Sequence, residues 1–217
     1  MRLVTRPAWL RRIRWRFLPV ALVVLAGLVT AVFVISGRYR GDPGERVVSD
    51  VYTTGYTWFD NTPAGSGRIS HPMVHSRAGG TGTFDDPVTM AVGHSLASGH
   101  DVLDFSAGTR FYLPHVRRYF VVEDSCGDGA TPQSHGCHNV STAPAGARRW
   151  VDLYVGGGVD DDKAAVQRCA GRVTDGDRAL HIMVADPDPG YLVVKGPLFQ
   201  HGECTMLYPD TPLPAAR

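Results

Sequence analysis

From Val51 onward the chain is a series of short apolar runs, each cut off within a few residues by Gly, Pro or Asp. Runs of this length, rich in Val, Tyr, Phe and Thr and bounded by turn formers, predict β-strands. They fall at Tyr56–Phe59, Val88–Val92, Thr109–Leu113, Tyr119–Glu123, Trp150–Val155, Leu180–Val184 and Tyr191–Val194. Only one segment predicts a helix, DDKAAVQRC at Asp161–Cys169, whose leading acids suit the positive end of a helix dipole. The count and spacing predict an all-β domain, a small barrel or sandwich, over residues 51–208, with a tail at 209–217. A loop at Gly127–Ala147, rich in Gly, Ser, Pro and Ala, is expected to be mobile.

The pattern before Val51 is different. Phe17–Ser36 (FLPVALVVLAGLVTAVFVIS) carries no charge, and about twenty helical residues span a hydrocarbon core of about 30 Å. A transmembrane helix or signal anchor is therefore expected over 17–37, between a basic segment at 1–16 and a linker at 38–50. Arg2, Arg6, Arg11, Arg12, Arg14 and Arg16 precede the run without an acid, which predicts a cytoplasmic N-terminus and an extracytoplasmic domain on a single-pass membrane protein. The alternative is a cleaved signal peptide and a secreted domain, although the run is long for one and lacks an A-x-A ending.

Charge changes the picture further. All 21 acids lie after Gly41, against fourteen of the 22 Lys and Arg, so the exported part carries a net −7 that the whole-chain value of +1 conceals. Such a surface argues against nucleic acid as a partner. Cys126, Cys137, Cys169 and Cys204 all fall in this part, where an oxidising compartment predicts two disulfides; spacing leaves all three connectivities open. No metal or cofactor is expected. His71 and His75 are spaced as helical ligands, but Pro72 breaks the helix they would need, and Asp160–Asp162 lacks the glycine and terminal glutamate of a calcium loop.

Asp152 interrupts the apolar strand RRWVDLYVGGG, where its residue type is disfavoured. Alternation puts Trp150, Asp152 and Tyr154 on one face. An acid between flat aromatic rings suits a glycan groove, in which rings stack on sugar faces and the acid serves the glycosidic oxygen. Asp60, just after Trp58 and Phe59, is a second candidate acid, as is Asp124 at the end of an apolar strand. Tyr56 joins Trp58, Trp150 and Tyr154 as a candidate stacking residue.

The segments TWFDNTP, AGGTGTFDDPVTMA, AGTRFYLPHVRRYFVVEDSC, WVDLYVGG and HIMVADPDPGYLVVKGPLF resemble, in this order, secreted double-psi β-barrel proteins. These include rare-lipoprotein-A-like domains, the expansin and barwin group and family 45 glycoside hydrolases. The likeness covers roughly Tyr52–Cys204 and is strongest to secreted members of undefined activity. It implies a six-stranded double-psi barrel with one short helix and long loops. It also implies Asp152 as general acid and Asp60 as general base of an inverting hydrolysis, with carboxyls about 6.5–9.5 Å apart. Asn61 and Thr62 replace the cysteines that follow the hydrolase base, and Trp150-Val151 the expansin His-Phe. The expected function is binding or cleavage of cell-wall polysaccharide or peptidoglycan, by hydrolysis or lytic transglycosylation. The alternative is a non-catalytic expansin- or barwin-like module that binds glycan or protein.

Overall fold

The computed structural model describes residues 44–175 and 179–214. The predicted basic segment, membrane helix and first part of the linker lie outside them; among the described residues no helix is long and apolar enough to cross a membrane. Six strands close a β-barrel: β1 (Arg46–Thr57), β2 (Val88–Ser95), β4 (Arg110–Leu113), β5 (Arg118–Cys126), β6 (Arg149–Gly156) and β7 (His181–Ala185). Around the barrel the order is β2, β5, β4, β7, β1, β6 and back to β2. The pairs β1–β6 and β2–β5 are parallel and the other four antiparallel. Short β3 (Val102–Leu103) extends β2, while β8 (Phe199–Gln200) and β9 (Glu203–Cys204) form a separate hairpin.

Closure removes both free edges, so inward residues of every strand share one core: Val51, Met90, Val92, Phe111, Phe120, Val122, Val151, Leu153 and Met183 are fully buried. The helix, α1 (Lys163–Asp175), starts two residues later and ends six residues later than the Asp161–Cys169 read from sequence, yet it opens as its acids suggest. Asp162 Oδ1 accepts the Ala164 N–H at 2.9 Å as an N-cap. Its buried face, Val166, Cys169, Ala170 and Val173, has helical spacing and packs on β1 at Gly55. A Cβ there would stand 2.9 Å from Val155 and 3.2 Å from the Ala170 backbone, so only glycine admits the helix this closely.

Two boundaries differ from expectation. β1 starts at Arg46, inside the segment read as linker, and ends at Thr57. Its first half, RVVSDV, is largely exposed and broken by a register shift around Asp50, whose φ of 59° marks a bulge, so it has no clean apolar alternation. Tyr191–Val194 is extended but is no strand: Tyr191 makes one isolated bridge to Pro214, and the Leu192 and Val194 N–H groups go to Leu213 and Arg117 carbonyls. The segment read as a tail thus packs on the barrel at least as far as Pro214.

The disulfides are Cys126–Cys137 and Cys169–Cys204. The first holds the Gly127–Ala147 loop to the end of β5. That loop is also packed where Gly136 lies against the Trp150 ring and where the His138 backbone meets Gly93. Arg118 is wholly buried, and its five N–H donors all find oxygens: the carbonyls of Val116, Gly196, Pro197 and Thr205 and the Thr205 hydroxyl, at 2.6–3.1 Å. It fastens the 195–205 segment to β5.

Candidate functional site

One end of the barrel opens into a cavity of about 440 Å³. Its walls include Tyr56, Asp60, Asn61, Ser70, Asp124 and Asp152, so all three acids singled out from sequence meet there. Asp152 lies in β6 between Thr54 of β1 and Ala91 of β2. The small alanine leaves the carboxyl a view of the cavity, while Thr54 fixes its orientation. Trp150 Nε1 donates to Thr54 Oγ1 at 2.9 Å, and Thr54 Oγ1 donates to Asp152 Oδ1 at 2.7 Å. Since a hydroxyl has one proton, the Trp150 N–H occupying its oxygen turns that proton toward Asp152.

Burial is the main reason the Asp152 carboxyl is pushed up to about 7; the Thr54 bond opposes the rise and the charges of Asp60 and Asp124 add to it. Asp152 thus exchanges its proton near neutrality, as a general acid requires. Asp124 is raised as well, first by burial, although four donors offset part of the effect. Its Oδ1 accepts the Ser70 N–H, the Ser70 hydroxyl and the Ser125 N–H, each at 3.0 Å, and Oδ2 accepts the Tyr56 hydroxyl at 3.1 Å. Both its oxygens are therefore engaged, and Asp124 holds the Tyr56 ring in place. Asp60 is exposed at the rim, and its Oδ1 accepts both the N–H and the hydroxyl of Thr57 at 2.6 Å. That closes the turn after β1 and leaves Oδ2 for the cavity.

The aromatics divide. Tyr56 lines the cavity, whereas Trp58, Trp150 and Tyr154 are not among its walls. The Trp58 ring lies against Gly65 and edge-on to Phe59; Trp150 lies under Gly136 and edge-on to Tyr52 at 5.0 Å. Tyr154 is buried, edge-on to Tyr56 at 5.3 Å, and burial pushes its hydroxyl up to about 12. Strand alternation does place Trp150 on the Asp152 side, but its work there is to hold Thr54. Sequence reasoning passed over Thr54, Ser70 and Ser125: isolated hydroxyls carry no signal until the register brings them to a carboxylate.

His71 and His75 face different partners. His75 bridges Glu123 at 2.7 Å and Asp86 at 2.9 Å, and the Glu123 carboxylate also receives the N–H groups of Met73, Val74 and His75. His71 pairs with Ser70 and, at 3.6 Å, with Asp101, which also binds His94 at 2.6 Å. His94 in turn meets the Gly127 carbonyl, a residue of the cavity wall, so these histidines brace the rim.

No solved structure matches the chain. A curated relative does, an uncharacterized protein of Dictyostelium discoideum (DDB_G0273701/DDB_G0273221), 34% identical over 99 residues. The match covers 46% of this chain and 40% of the relative, so the chain spans well under half of that protein's length. The family described as the DDB_G0273701 N-terminal domain matches residues 48–205, a range that takes in nearly the whole barrel, both disulfides and every acid of the cavity. On that extent of match, the chain belongs to the DDB_G0273701 N-terminal domain family.

Proposed function

We propose that the cavity takes a polysaccharide strand and that Asp152 is the proton donor for breaking a glycosidic bond. The observation that carries this reading is a carboxyl raised to about 7, open to a cavity it shares with Asp60, Asp124 and Asp128. Protonated Asp152 gives its proton to the leaving oxygen as the bond from that oxygen to C1 breaks. Water attacks C1 from the other face and loses its proton to Asp60 Oδ2, and the two acids then re-equilibrate with solvent. Asp124 positions Tyr56, on which a sugar ring would stack.

The two parallel pairings, each joining strands far apart in sequence, agree with the double-psi topology implied by the resemblance. Two disulfides and the basic, then apolar, N-terminus suit a domain anchored on the outer face of a membrane, next to cell-wall glycan. A second reading, a non-catalytic glycan-binding module, gains support from the packing of Trp58 and Trp150 under loops, which leaves Tyr56 as the single ring of the cavity wall.

The test is incubation of the protein with purified cell wall, peptidoglycan and cellulose, with mass spectrometry of released sugars. Fragments lost in a folded Asp152→Asn variant support cleavage, and their reducing ends distinguish hydrolysis from transglycosylation. Binding without fragments supports the second reading. Neither binding nor release overturns both.

A further inference from the structure

A second cluster lies apart from the cavity. His115 sits in the single 3-10 turn Pro114–Val116 between β4 and β5, and His181 opens β7. Both are buried, and their rings stack with centroids 3.7 Å apart and planes within 7°. Asp210, from the chain after the last strand, brings Oδ2 to 3.7 Å from His181 Nδ1 while accepting the Ile182 N–H at 2.8 Å. Thr53 faces His115 Nε2 at 3.5 Å. It precedes Tyr56 of the cavity wall by three residues, about 10 Å along a strand, and neither it nor the cluster lines the cavity.

Two atoms of this cluster are buried without a hydrogen-bond partner: His115 Nδ1 and Asp210 Oδ1. Each such atom has lost its water without a replacement, and native interiors rarely keep two in one place without an unseen partner. The two unmatched atoms belong to residues that, with His181, bring one ligand atom each to within 4.8 Å of one another.

We propose that His115, His181 and Asp210 bind one divalent transition-metal ion of the zinc class, which fastens the C-terminal segment to the barrel. Two imidazoles and a carboxylate suit zinc or its neighbours, whereas magnesium and calcium take oxygen ligands. Three protein ligands leave a fourth position for water. Zinc holds such ligands at about 2.0–2.1 Å, so the groups must draw together by about 1 Å. The stacked rings must also tilt, because an imidazole lone pair lies in its ring plane. Asp210, with a side chain 30% exposed, is the member best placed to close on the ion. The segment it closes with is already docked through Tyr208 N–H to the His115 carbonyl and Leu192 N–H to the Leu213 carbonyl.

The full chain, purified in mild detergent without a histidine tag and stripped with chelator, is titrated with Zn²⁺ and with Co²⁺. Metal content, the visible bands of four-coordinate Co²⁺ and thermal melting are read together. The expected result is one ion per chain, a Co²⁺ spectrum of nitrogen and oxygen ligation and a higher Tm with metal. Binding should weaken at least ten-fold in Asp210→Asn and in His115→Gln, and stay unchanged in His75→Gln. If His115→Gln does not fold, Asp210→Asn decides, since its amide oxygen still accepts the Ile182 N–H. Substoichiometric metal in the parent protein, or binding unchanged in Asp210→Asn, overturns the proposal.

Discussion

Replacing Asp152 by Asn tests the protonation of this carboxyl separately from its shape. The amide oxygen can accept the Thr54 hydroxyl that now meets Oδ1 at 2.7 Å, and the amide stands in for a neutral acid. With its pKa raised from 3.8 to about 7, the folded protein retains a proton that the unfolded chain has lost. Stability from this group is therefore full below about pH 4, falls as pH rises toward about 7 and is level above that. At 1.36 kcal/mol per pH unit the whole fall is about 4 kcal/mol, and access of cavity water to this partly exposed residue reduces it to about 2–4 kcal/mol. Urea unfolding followed by tryptophan fluorescence, at about pH 3 and about pH 8.5, measures it as the difference between parent and variant, in which the titration of all other groups largely cancels. The variant should match the parent within about 1 kcal/mol at the lower pH and exceed it by about 2–4 kcal/mol at the higher. A difference independent of pH would mean that Asp152 titrates as an ordinary carboxyl, and the proton-donor argument would fail. Lower stability of the variant at the higher pH would make the ionised carboxylate a structural group. Any glycan release should decline as pH rises through about 7 and be absent in the variant.

The Glu123–His75–Asp86 network should hold the 70–87 segment best in a window of mildly acidic pH. Burial opposes charge on His75, but the bonds to Asp86 and Glu123 outweigh it and its pKa rises; Glu123, despite burial, is lowered by the His75, Val74 and Met73 donors, and Asp86 first by His75. The His75 contribution is thus full below about 6.5 and lost as pH rises above it, while those of the acids are present above about 4.5 and lost below; hydrogen-exchange protection of residues 70–87, relative to the unfolded chain at the same pH, should be greatest between these values. Glu123→Gln should cost about 2–4 kcal/mol near pH 6 in urea unfolding, and a loss under 0.5 kcal/mol would deny the network any role. Arg118→Met removes every donor from four backbone carbonyls and should cost about 3–5 kcal/mol, measured in the same way. Replacing Cys169 and Cys204 together by Ser frees a loop of 35 residues and should lower stability by about 3–4 kcal/mol in denaturant, with the Asp152 environment unchanged by NMR.

Local pattern alone determined much of this protein. Val88–Val92, Tyr119–Glu123 and Trp150–Val155 lie within β2, β5 and β6, because a strand buried on both faces is written as a short run of apolar, β-branched and aromatic residues. The acids leading DDKAAVQRC announced α1, and four cysteines in a segment read as exported announced two disulfides. Asp152 stood out because a carboxylate in an apolar strand contradicts its surroundings. Tertiary structure decided the rest. The exposed first half of β1 is a strand only because β7 pairs with it, and Tyr191–Val194, apolar enough to read as one, finds only isolated partners. The pairing of Thr54 with Asp152 spans 98 residues, and the meeting of Asp60, Asp124 and Asp152 at one mouth depends on which strands close the barrel. So does the approach of His115, His181 and Asp210. Register and closure are set by hydrogen bonds between distant strands, and no periodicity within a single segment encodes them.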